Sequence, residues 1–416
     1  MKHTFLIVCS LLLIISASRA QISIDTQYIS AVKSIQLSPY GSKLDPPLLR
    51  LGTDDRLEIA FDMLADEPEE YRYEIRHCDQ HFVEDGLTTQ EYMSGFNEGA
   101  IGEHQFSLTT LQNYIHYRQT LPDEISEFTA SGNYVLKVYR AEAPDEVLFT
   151  RRFRVAEDLF GVEMEAVTPS EAPNENQEIA VALTPKTGTD HQWSNTQYLF
   201  PYLQQNGRTD IARLLPFGSY QGNKLLYRFK KENIFTGGNC FRFFDFSNLR
   251  TPMYNVQNVE RFGGETFVML RPCEDLSRKN YNYIEGLMGG FKINIWDRTQ
   301  KEIEADYAWV NITLPMERPY LDGTVHVVGD LTQWNLGDTS RMEWNPKFKA
   351  YVKRMYLKQG YYSYQLLFLP VGSHEGETAR IEGNHYETPN TYTLYLYGRR
   401  PTDLYDRLIA VKKMKR

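Results

Sequence analysis

Residues 71–76 read Tyr71-Arg72-Tyr73-Glu74-Ile75-Arg76. Three large apolar side chains alternate with three charged ones. A β-strand points successive side chains to opposite faces, so this stretch predicts a strand with one face in a core and the other in water. Outward from it the pattern recurs. Val310, Ile312 and Leu314 alternate with Asn311 and Thr313, and Phe291, Ile293 and Ile295 share one face of 290–296. Apolar runs at 56–63, 134–139, 148–155, 177–183, 225–229, 240–246, 265–270, 324–328, 351–357, 361–369 and 391–397 are further candidate strands. Gly132-Asn133, Gly323, Gly360, Gly372, Gly376 and Pro389-Asn390 punctuate them. The spacing is that of β-sandwiches, with no 20–50-residue repeat and no long amphipathic helix. The expectation is an all-β chain of tandem β-sandwich domains.

Composition narrows the function classes. The chain has 416 residues, 42% of them hydrophobic, enough for sizeable cores. The 28 Tyr and 22 Phe favour pleated, half-buried surfaces. A net charge of −9 argues against binding a nucleic-acid backbone or an anionic lipid surface. Residues 1–20 have the order of a secretory signal peptide: basic Lys2-His3, apolar 5–15, then Ser18-Arg19-Ala20 before a cleavage site at Gln21. The apolar run is too short for a membrane span, and Cys9 lies inside it rather than at the cleavage site. The expectation is therefore an exported protein with no membrane anchor, divided into sandwiches at 21–156, 157–304 and 305–416.

Catalytic signatures are missing. The sequence contains no phosphate-binding loop, dinucleotide fingerprint, His-Glu-x-x-His zinc motif or Gly-x-Ser-x-Gly elbow. Ser30-Ala-Val-Lys33 has the spacing of a Ser-x-x-Lys pair but none of its companion motifs. His77-Cys78-Asp79-Gln80-His81 gathers ligand types, yet neighbours on a strand face opposite ways and no second Cys/His pair lies at zinc spacing. A packed strand end is the expected reading, with no metal, no cofactor and no catalytic residue. Cys240 and Cys273 lie in one predicted domain. They are either two buried thiols or a disulfide, which would contribute roughly 3–4 kcal/mol by chain entropy.

Residues 323–335, Gly323-Thr-Val-His-Val-Val-Gly329-Asp-Leu-Thr-Gln-Trp334-Asn335, resemble the opening of early-set, immunoglobulin-like sandwiches related to glycogen-binding modules. Trp334 would then either pack a turn or stack on a sugar ring, and the turn is the expected place. Longer motifs carry a second resemblance. In the first domain they are Tyr71-x-Tyr-Glu-Ile-Arg-His77-Cys78-Asp79, Glu91-Tyr92-Met-Ser-Gly95-Phe96-Asn97, Tyr114-x-x-Tyr117 and Ser131-Gly-Asn-Tyr134. In the second they are Gly237-Gly-Asn-Cys-Phe241-Arg242-Phe243-Phe244-Asp245 and the stretch 281–291. In the third they are Ala305-Asp306-Tyr307-Ala-Trp-Val310, Leu357-Lys358-Gln359-Gly360-Tyr361-Tyr362-x-Tyr364, Glu382-Gly383 and Thr388-x-Asn390-x-Tyr392. In this order they resemble the plug protein family of the type IX secretion system.

The resemblance implies a non-enzymatic periplasmic protein at the inner face of the outer membrane. Its partner would be the outer-membrane translocon channel, whose periplasmic opening it would seal between transport events. No nucleic acid and no small-molecule ligand is expected. Two departures stand out: Phe82 where the family usually has Trp, and Cys240 before Phe241-Arg242. With Cys273 present, the second departure favours a bridge particular to this relative. Phe241, Arg242, Phe244, Tyr361, Tyr362 and Tyr364 lie in the aromatic stretches 241–246 and 356–364, which are candidate partner contacts or core. The alternative functions are an exported carbohydrate-binding protein using the third domain and a secreted hydrolase with a carboxylate pair assembled by folding.

Overall fold

The computed structural model describes residues 25–416; the expected signal peptide at 1–20, with Cys9, lies outside the described residues. Strands account for 47% of the chain and helix for 5%, so the class is all-β. The α-helices of the described residues are single turns of four residues, Thr89–Tyr92 and Lys301–Glu304.

Three hydrophobic cores organise the sheets. In the first, the strand Tyr71–Cys78 lies inside a six-stranded sheet, between Gly132–Arg140 and the edge strand Glu98–Ala100. A four-stranded sheet of Val32–Pro39, Leu57–Met63, Ile115–Leu121 and Glu103–Phe106 faces it. The predicted alternation holds: Tyr71, Tyr73 and Ile75 are buried in one core with Leu57, Ile59 and Phe61. Phe61 stacks on Tyr117 at 5.2 Å and meets Phe149 edge-on, the preferred aromatic geometries.

The second sandwich pairs Phe160–Val167, Asn176–Pro185, Lys224–Tyr227, Ser219–Gln221 and Ile234–Thr236 in one sheet. Its other sheet is Arg213–Leu214, Leu199–Gln205, Thr391–Gly398 and Arg407–Lys415. The third packs Val256–Phe262, Glu265–Leu270, Tyr307–Pro315, Ala350–Lys358 and Glu343–Asn345 against Arg242–Asp245, Gly360–Pro370, Phe291–Ile293 and Gly323–Val328.

This grouping differs from a division at 304/305. Leu199 to Gln205 pair antiparallel with Gly398 to Tyr392, and Leu394, Leu396 and Ile409 share a core with Leu183 and Leu203. Arg242–Asp245 and Phe291–Ile293 instead flank Gly360–Pro370. The third sandwich is thus inserted between the two parts of the second. Period-2 alternation identifies a strand and its buried face but not its partner, which is why a sequential division differs from the sheets.

Candidate functional site

Asp62 is one of two acids in the otherwise apolar strand Leu57–Met63 and, unlike Glu58, is fully buried. It points away from the first core, toward the third sandwich. Its carboxylate accepts a hydrogen bond from the Tyr307 hydroxyl at 2.6 Å, meets His116 Nδ1 at 2.7 Å and pairs with the Lys358 ammonium. Lys358 also donates to the Glu302 carbonyl and sits 4.1 Å from the Tyr114 ring centre. Burial pushes the Asp62 carboxyl up, but the Lys358 ammonium and the His116 contact outweigh it and hold the group below its ordinary value. Burial lowers Lys358 in turn. Removing one partner of such a pair leaves an uncompensated buried charge. Around it, the backbone N–H groups of Leu111 and Gln112 donate to Asp306 at 2.8 and 3.1 Å, and the Tyr114 hydroxyl donates to the Ala305 carbonyl at 2.8 Å.

Two further junctions close a triangle. Between the first and second sandwiches, the Tyr397 hydroxyl donates to Asn133 Oδ1 at 2.6 Å and accepts from Arg154 Nε at 3.0 Å. The Arg154 guanidinium lies 4.0 Å from the Tyr395 ring centre. Between the second and third, Arg208 donates to the Gly376 carbonyl at 2.6 Å, and the Gly376 N–H donates to Asp210 at 3.0 Å. Each sandwich therefore holds the other two through buried, hydrogen-bonded polar groups, which fix mutual geometry more narrowly than apolar contact does.

Most of the candidate aromatics are core. Phe244 is fully buried and stacks on Tyr362 at 5.3 Å; the Tyr362 hydroxyl donates to the Lys358 carbonyl at 2.6 Å. Tyr364 is buried against Phe244, and half-buried Tyr361 lies face to face with Phe243 at 6.0 Å. Arg242 makes a two-pronged pair with buried Glu382, both contacts 2.9 Å, and donates to the Glu274 carbonyl. Phe241 meets Trp334 edge-on at 5.9 Å. Trp334 is half-buried in the turn after Gly329, and its indole N–H donates to Asp330 at 2.7 Å. Its ring presses on Gly289 so closely that a Cβ there would lie 2.4 Å away.

The expected disulfide is not formed. The Cys240 and Cys273 sulfurs each contact their own tyrosine hydroxyl at 3.3 Å, Tyr281 and Tyr364 respectively. Each thiol is settled in a separate local site, so spacing in sequence did not report proximity. In the 77–81 group, His77 Nδ1 meets the Asp85 carboxylate at 2.6 Å and Nε2 lies 3.1 Å from the Ser131 carbonyl. Cys78 packs with Phe82 and Val135. His81 meets Tyr202 edge-on. Ser30 lies on an exposed turn and Lys33 within the strand Val32–Pro39. A polar cleft of about 590 Å³ adjoins His116 and is lined by Tyr40, Lys43, Glu58, Glu103 and Arg118. Its Lys43–Glu58 and Arg118–Glu103 charges pair with each other.

Sequence reasoning missed the Asp62 junction. A signal was present: an acid inside the apolar run 57–63, with Tyr307 and Lys358 standing in motifs already singled out.

Among known proteins, residues 32–157 match the family described as the type 9 secretion system plug protein 1st domain. A crystal structure of a hypothetical protein from Parabacteroides merdae ATCC 43184 is similar with a TM-score of 0.91 and 31% identity, over 94% of this chain and 99% of that one. No curated protein matches the chain.

Proposed function

We propose a channel-sealing function from the premise that this chain belongs to the type IX secretion system plug family. In this reading it is a non-enzymatic periplasmic protein. It binds the periplasmic opening of the outer-membrane translocon channel and seals it between transport events. The match of residues 32–157 to the plug first domain carries the proposal. Two structural features support it. Three sandwiches are clasped pairwise by buried polar contacts, an arrangement suited to the closure of a large aqueous opening. Among the described residues no helix is long and apolar enough to cross a membrane, which suits a protein that must leave when a substrate arrives.

The test is a gene deletion in strains with and without the channel. The deletion should admit large antibiotics only where the channel is present. An unchanged barrier, or leakage that persists without the channel, would refute sealing.

A further inference from the structure

The five-stranded sheet of the third sandwich buries one face in its own core; the first sandwich covers Tyr307 and Lys358 on the other face, and among the described residues the strands beyond them carry no further layer. Register fixes what the outer face carries. Phe267 is paired with Trp309, and Trp309 with Tyr356, so three aromatics lie in one row across three strands. The next row holds Met269, Asn311 and Arg354. All are half-buried or exposed, while their strand neighbours Val268, Ala308, Val310 and Ile312 are in the core. At the hairpin tip Phe262 is 82% exposed.

The row continues an interface already present in the molecule. Tyr356 stacks on Tyr307, the buried partner of Asp62, at 5.4 Å, and donates from its hydroxyl to Gln112 of the first sandwich at 3.2 Å. Leu111, next to Gln112, is 54% exposed. The apolar surface therefore runs from the family-matched first domain onto the third sandwich without leaving the junction that locks the two together. Single exposed apolar residues need no explanation, but a contiguous aromatic patch marks a contact surface.

We propose that this outer face is the surface that docks the translocon channel protein, an inference that rests on the plug function above. Its composition is that of protein interfaces: Trp, Tyr, Phe and Met beside an Arg, with Lys absent from both rows. A sugar platform fits less well. Trp309 and Tyr356 are tilted by 42° rather than coplanar, and the Arg354 guanidinium lies 5.7 Å from the Phe267 ring centre, over the face a sugar would use. Arg354 also donates to Asn311 at 3.0 Å and Trp309 to Glu265 at 2.9 Å, so the patch is held in place before a partner arrives. A preset surface binds with less ordering entropy to lose.

The test uses the detergent-purified channel protein, immobilised, with the full mature chain in solution. Trp309→Ala is compared with Phe262→Asp, which changes a tip residue outside the core, and with Leu321→Asp, 93% exposed on a separate loop, as control. All four proteins are first matched for melting temperature. Trp309→Ala and Phe262→Asp should each weaken binding about tenfold or more, as interface anchors do, while Leu321→Asp binds as wild type. If the wild type binds and both face variants bind equally well, the face is wrong and the plug function stands. If the wild type does not bind the channel, the plug function fails and the docking face with it. Retardation of the wild type, but not Trp309→Ala, in a gel containing soluble glucan would make the row a sugar platform and overturn the proposal.

Discussion

His326 is buried on the face of Gly323–Val328 opposite the core residues Val325 and Val327, between two hydroxyls, Thr324 Oγ1 at 2.7 Å and Ser340 Oγ at 2.9 Å. Burial, reinforced by Arg341 and Lys353, lowers its pKa to about 4. The sign follows directly. An unfolded histidine titrates near 6.5, so between about 6.5 and 4 the unfolded chain binds a proton that the folded chain refuses. Stability is full above that window and falls as pH drops through it, by about 3 kcal/mol in all. Chemical unfolding from pH 7 to pH 4 should show this loss, and His326→Gln should flatten it; parallel slopes would exclude His326 as the source. The two thiols make a second residue-scale prediction. Without reductant, denatured protein should be alkylated at both Cys240 and Cys273. A cross-linked peptide containing the pair would contradict the two separate tyrosine contacts.

At the scale of elements, strands were legible and partnerships were not. Tyr71–Cys78 and Tyr307–Pro315 announced themselves because one face is buried and the other is wet, and that contrast is written residue by residue. The pairing of Leu199–Gln205 with Thr391–Gly398 bridges nearly two hundred positions and leaves no local trace. It is selected by which apolar faces complete a common core. The same limit hid the docking row: Tyr356 stood in a flagged aromatic stretch, but Phe267 and Trp309 join it only through register. Trp334 was legible as a turn residue through the resemblance of 323–335 to early-set sandwiches, whereas Asp62 lacked its meaning until Lys358 was brought beside it. Core sharing has a measurable consequence. Amides of 199–205 and 391–398 should exchange with one common protection, since cooperative units follow packing rather than sequence order. If 391–398 instead exchanges together with the inserted strand Gly323–Val328, the nested arrangement is wrong.

The whole molecule poses the question of whether three sandwiches behave as one body. We propose three folding units: residues 25–156, residues 157–236 with 391–416, and the inserted sandwich between them. Separate units joined by small polar contacts ordinarily unfold separately. Here the Asp62–Lys358 pair is sealed from water on both sides, at 0% and 2% side-chain exposure. Asp62→Asn keeps the shape of the side chain but strands the Lys358 charge, a change that in buried pairs costs about 3–5 kcal/mol. That loss falls on the junction and not on either core, because Asp62 faces out of the first core. Calorimetry of the wild type should therefore show one dominant transition, and the variant should show two, the earlier one belonging to residues 25–156. Because Asp62 is held below its ordinary value, its contribution is present above about pH 4 and disappears as pH falls through its folded value, so the two proteins should converge in acid. A wild type that already melts in separate steps at neutral pH would show that the junctions do not couple the sandwiches. A rigid seal would then have to come from the channel rather than from this protein.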